Sequence, residues 1–130
     1  MKLSEWRKSA QGRKFIAGPR LAVLNEALAG VGAGVDPEAF VDWTDDPENR
    51  ITVLAAAEAG MATVNVRAGV GPEGARASAR LLRWGRVQAS ELNAEVQGGH
   101  RLVTCQLESM VLKGGDADAD AVAEWITHVY

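Results

Sequence analysis

Several residue groups in this 130-residue chain have types and spacings that could do chemistry. Gly69, Val70, Gly71, Pro72, Glu73 and Gly74 spell G-x-G-x-x-G after a stretch that reads as a strand, and Glu91 follows at about the distance of a ribose-binding carboxylate. Such a loop would cradle a dinucleotide pyrophosphate. The preceding stretch, however, alternates polar and apolar residues, with Asn65 and Arg67 on one face, whereas a central parallel strand is apolar on both. Pro72 also removes an amide that a phosphate would use. Asp116, Asp118 and Asp120 have the spacing of a calcium loop, but positions six and twelve of such a loop hold Ala121 and Thr127 in place of Gly and Glu. Their reading is therefore charge compensation at a helix N-terminus. His100 and His128 lack a neighbouring ligand set for a metal. Cys105, the only cysteine, alternates in phase with Val103 and Leu107, which predicts a buried thiol and no nucleophile. Arg76, Arg80 and Arg83, with Arg86 beyond, form a basic stripe. With Trp84 as its one aromatic neighbour, the stripe is read as a solvated or subunit-contacting face, since a nucleic-acid surface would need more charge and more stacking platforms. No cofactor, metal or catalytic set emerges, and the expectation is a protein that is not an enzyme.

The elements that position these residues follow from periodicity. Residues 92–97 and 100–108 alternate on either side of Gly98-Gly99. A two-residue turn there sets Leu92 against Cys105, Ala94 against Val103 and Val96 against Arg101, with Asn93–Thr104 and Glu95–Leu102 on the other face. The apolar phase slips near Ser109, which predicts a bulge or a strand end. Residues 51–58 and 61–68 form a second hairpin around Ala59-Gly60, opposing Ile51, Val53 and Ala55 to Ala68, Val66 and Val64. A short strand is expected over 39–44. Pro19 opens a first helix carrying Leu21, Leu24 and Leu28 and closed by Gly30. Pro72 and Glu73 open a second, ended by Gly85. The third buries Val122, Trp125, Ile126 and Val129 at i, i+3, i+4 and i+7. The fold class is α+β, an antiparallel sheet with the order α-βββ-α-ββ-α.

Length predicts one domain with a self-sufficient core. It comprises residues 19–130, preceded by a basic, loosely ordered segment 1–18. Residues 1–20 hold six cations against Glu5 alone, a local balance of +5, so the remainder carries −8 of the net −3. An acidic body argues against nucleic acid as the main partner. A lone cysteine excludes an intrachain disulfide and suits a reducing cytoplasm. Apolar runs are too short for a membrane span, and the first residues lack a secretory signal core.

The hairpin over 51–67, Gly71-Pro72 opening a helix with Leu81-Leu82, the strands over 92–97 and 102–112 and the closing helix together resemble the class I chaperones of type III secretion. The resemblance covers roughly residues 20–130. It implies a cytoplasmic homodimer without catalysis that holds an extended segment of an exported effector. It would place the dimer contact on the second helix, at Ala75, Ala79, Leu82 and Trp84. Pockets for the partner would involve Leu21, Leu24, Leu54 and Leu102, on the first helix and the sheet. The alternative is a pleckstrin-homology-like barrel with a closing C-terminal helix, a module for peptides or anionic lipid head groups. That alternative requires residues 75–83 to be a strand.

Overall fold

In the computed structural model, both hairpins grow into antiparallel sheets of different size. The structure describes residues 1–15, 19–42, 49–69, 74–108, 110–115 and 117–129. Contacts group into two units, Met1–Arg83 and Trp84–Tyr130, each with its own sheet and helices. The α+β class holds.

The first unit contains α1 (Leu3–Lys8), α2 (Ala10–Phe15), α3 (Pro19–Gly30), β1 (Ala39–Asp42), β2 (Arg50–Ala56), β3 (Gly60–Arg67) and β4 (Arg76–Arg83). The strands pair in sequence order, every pair antiparallel. Alternation puts Ala39, Val41, Ile51, Val53, Ala55, Ala62, Val64 and Val66 on one face, where they form a core with Leu24 and Leu28 of α3. The basic N-terminal segment, expected to be loosely ordered, is instead helical through Phe15. Leu3, Trp6 and Phe15 are buried in that same core, because their apolar area is large enough to hold the chain down. The start of α1 is fixed from outside. Asp36 accepts the Ser4 backbone N–H at 2.8 Å and the Ser4 hydroxyl at 2.9 Å, a cap that Lys2 does not supply. These two bonds hold the Asp36 carboxyl below its ordinary value. Lys2 and Glu38 form a one-residue antiparallel bridge beside it.

Two further expectations for this unit are corrected. The hairpin over β2 and β3 pairs Ile51 with Val66, Val53 with Val64 and Ala55 with Ala62, two residues from the expected register. A two-residue turn at Ala59-Gly60 would need positive φ at Ala59. The chain instead turns one residue earlier, over Glu58-Ala59, with the Ala57 N–H donating to the Gly60 carbonyl at 2.9 Å and no positive φ at either turn residue. A shift of two preserves every face, so the core is unchanged. Gly60 is required for another reason: a Cβ there would lie 2.1 Å from the Leu82 carbonyl oxygen.

The second correction is larger. The expected helix over 72–85 is strand β4 from Arg76 to Arg83, followed by a 3₁₀ turn, Trp84–Arg86. Its first positions, Pro72 and Glu73, lie outside the described residues. Helical spacing of Ala75, Ala79 and Leu82 competes with a strict period of two in Arg76, Ala77, Ser78, Ala79, Arg80 and Leu81. The strand wins because β3 is buried and apolar on the core face, and its second edge needs backbone partners. β4 supplies them over all eight residues of β3, from Gly60–Arg83 to Arg67–Arg76.

The second unit contains β5 (Ala89–Gln97), β6 (His100–Leu107), β7 (Met110–Gly115) and α4 (Ala117–Val129). The β5–β6 register is the expected one at every pair from Leu92–Cys105 to Gln97–His100. Gly98 and Gly99 take φ of 59° and 81°, the double positive φ of the tight hairpin turn. The slip near Ser109 is a strand end followed by a third strand, which the sequence reading did not separate. Leu107 pairs with Met110, and Glu108 adopts φ 55° to make that tight reversal. β7 runs through Gly114 and Gly115 and pairs them with Val103 and Leu102. Val122, Trp125 and Ile126 of α4 are buried as the stripe predicts while Val129 is half-buried, and Val103, Cys105, Leu107 and Leu112 are buried apolar side chains of the sheet.

Candidate functional site

The outer face of the four-stranded sheet, away from α3, is organised in cross-strand rows. Residues opposite one another in antiparallel strands share a face with Cβ atoms about 5 Å apart. One row is Arg50–Arg67–Arg76 across β2, β3 and β4. The next is Asp42–Thr52–Asn65–Ser78 across all four strands. The third is Phe40–Leu54–Thr63–Arg80, and Leu82 lies opposite Met61 in the fourth. The face therefore grades from three arginines at one end, through a polar row, to buried Phe40, Leu54 and Met61.

Among the described residues, Arg67 and Arg76 have no carboxylate within ion-pair distance. On these strands the one acid sharing their face is Asp42, on the far edge strand. A shallow pocket of about 150 Å³ is lined by Asp42, Arg50, Ile51, Thr52, Asn65 and Arg67. Within it the Thr52 hydroxyl donates to Asn65 Oδ1 at 2.9 Å, which turns the Asn65 amide hydrogens toward other acceptors. Guanidinium and amide donors together make a surface suited to carboxylate or phosphate oxygens.

β4 borders this face and is an edge strand: among the described residues, β3 is its one partner in the sheet. Arg76, Ser78, Ala79, Arg80, Leu81 and Arg83 are exposed, and Leu81 keeps 40% of its surface in solvent. An edge strand carries unpaired N–H and C=O groups along its free side, a template for another strand.

The residues expected to bind a partner are distributed as follows. Leu24 is fully buried in the α3 core, and Leu21, on the same helix, is half-buried against it. Leu54 is fully buried on the opposite face of the sheet. Leu102 is half-buried on β6, opposite Glu95, in the second unit. The expected helical stripe is dissolved by the strand. Ala79 is exposed on the α3 side of β4, Leu82 is half-buried on the outer side, Ala75 precedes the strand, and Trp84 opens the 3₁₀ turn. Arg50 and Arg67 were not singled out from sequence. Their signal is the alternation over 76–81, which as a strand brings Arg76 into register with them.

The glycine motif at 69–74 lies partly outside the described residues. It sits between β3 and β4, so a strand rather than a phosphate-binding helix follows it. Cys105 is buried, and burial pushes its thiol pKa up. Among the described residues no three His, Cys, Asp or Glu side chains stand together as a metal site, and no helix is long and apolar enough to cross a membrane. Compared with protein-family models, curated proteins and solved structures, the chain matches none.

Proposed function

We propose that this protein is a non-catalytic binding domain that takes up an extended segment of a protein partner along the free edge of β4. The carrying observation is that β4 is eight residues long, paired on one side and exposed over most of its length. Strand addition to such an edge gives affinity through main-chain hydrogen bonds and specificity through alternate side chains. The narrower form, a cytoplasmic homodimer that keeps an exported effector segment unfolded, draws on the resemblance in element order and size. That resemblance assigns the dimer contact to a helix where this chain has β4, so we propose that this stretch takes up the partner segment by strand addition and is not the dimer contact.

A second reading is supported by the same strand. A pleckstrin-homology-like module requires residues 75–83 to be extended, then further antiparallel strands and a closing helix. β4 is followed by β5, β6, β7 and α4 in that order. In this reading the ligand is a peptide or an anionic head group.

The test is selection of peptides from a random displayed library with the full chain, followed by amide chemical-shift mapping of the tightest binder. Shifts concentrated on 76–83 support the edge reading. Shifts confined to other strands or helices overturn it.

A further inference from the structure

We infer that the segment taken up at β4 is acidic, with carboxylates at two positions four residues apart. This inference rests on the edge-binding reading above and specifies its partner. A strand added beside β4 extends each cross-strand row by one residue. The row Arg50–Arg67–Arg76 then ends on a partner side chain opposite Arg76, and the row Leu54–Thr63–Arg80 ends on one opposite Arg80. Arg76 and Arg80 lie on the same face, four residues apart, so their partners do too. Between them, the partner residue opposite Ser78 continues the polar row Thr52–Asn65–Ser78.

The other face of β4 carries Ala77, Ala79 and Leu81, on the side where α3 covers the sheet. Ala77 is half-buried against the core, and Ala79 and Leu81 are open to solvent. Small side chains leave room beside them, so the partner residues opposite Ala77 and Ala79 are apolar and extend the core by one strand. The complete pattern is acidic, apolar, polar, apolar, acidic. It reads the same in both directions and holds for antiparallel and parallel addition.

Charge argues for this occupant over two others. Like charges opposite one another in a sheet are unfavourable, yet Arg67 faces Arg76 directly with no carboxylate of the described residues at ion-pair distance. A carboxylate at the end of that row relieves the repulsion. A second copy of the chain does not. Two β4 strands paired antiparallel about Ser78 would set Arg76 of each opposite Arg80 of the other. A basic or neutral segment leaves Arg67 and Arg76 uncompensated.

The experiment uses the full chain and three labelled peptides sharing one length and one flanking sequence, with central pentads Glu-Val-Thr-Val-Glu, Gln-Val-Thr-Val-Gln and Lys-Val-Thr-Val-Lys. Affinity is read by fluorescence anisotropy and location by amide shifts. The acidic peptide is expected to bind on the order of tenfold more tightly than the neutral one, and the lysine peptide more weakly than either. The double variant Arg76→Glu/Arg80→Glu is expected to reverse the order, and Arg76→Gln/Arg80→Gln to level it. Amide spectra of each variant confirm that the sheet is retained. If all three peptides shift the β4 amides with equal affinity, the acidic inference fails and the edge reading stands. If none shifts them, both fail. Inorganic phosphate and vesicles containing a phosphoinositide form the last arm. Saturable binding there that depends on Arg67 and Arg76, with no peptide binding, overturns the proposal in favour of an anionic head group.

Discussion

Arg67 on β3 stands directly opposite Arg76 on β4, both exposed and neither within ion-pair distance of a carboxylate among the described residues. Such a pair works against the sheet that holds it. Exposure and counterions weaken the repulsion, leaving a cost of roughly half a kcal/mol or less. Replacement by glutamine, in Arg76→Gln, should therefore raise the melting temperature slightly at low salt and change it little at high salt. The same substitution should weaken binding of the acidic peptide. Calorimetry at two ionic strengths, beside the anisotropy titration, checks both.

Asp36 and Ser4 give a pH-dependent prediction for the first unit. The carboxyl is held below its ordinary value of 3.8 by the two bonds from Ser4. A carboxyl whose pKa is lowered by folding stabilises the fold above its unfolded value, and that contribution disappears as pH falls through the folded value. The melting temperature should therefore fall as pH drops below about 4. Asp36→Asn should flatten this part of the profile and lower stability at pH 7. Ser4→Ala should lower stability at neutral pH through the same cap.

Cys105 lies inside the second unit, where burial disfavours its thiolate. Its reaction with an aromatic disulfide reagent at pH 8 should be far slower than that of a free thiol and should accelerate in urea. The thiol donates to the Gln106 carbonyl at 3.6 Å, so Cys105→Ala should lose this contact together with some packing and lower stability in urea denaturation.

Turn chemistry makes a fourth prediction. Gly99, at φ 81°, should resist replacement, with Gly99→Val losing stability by more than 1 kcal/mol, an order set by the left-handed penalty. Gly98→Asn, which suits the first position of this turn, should cost little. Urea denaturation of both variants separates the two positions.

These residues also show how much of the fold was legible beforehand. The β5–β6 register could be read because Gly98-Gly99 and the alternation on both arms agree on one pairing. The α4 stripe could be read because Val122, Trp125 and Ile126 repeat at helical spacing beside acidic residues at the helix start. The β2–β3 register slipped by two residues because alternation fixes the face but not the register, and Ala59 is a poor turn residue. β4 was missed because its alanines, arginines and leucines satisfy both periods. Local pattern could not decide between them, and the need of β3 for a second partner did. The candidate site was hidden for the same reason. Arg50 and Arg67 come together through the β2–β3 register, and Arg76 joins them only when β4 is a strand. Leu24 and Leu54, chosen as pocket residues, proved to be deeply buried.

Hydrogen exchange along β4 tests the central claim most directly. In the free chain, the amides of 76–83 that point away from β3 should exchange fast. With saturating acidic peptide, those same amides should become protected by a factor of ten or more, an order expected when a new strand occupies the edge. If the peptide binds while those amides exchange as fast as before, the partner does not lie along β4 and the account is wrong.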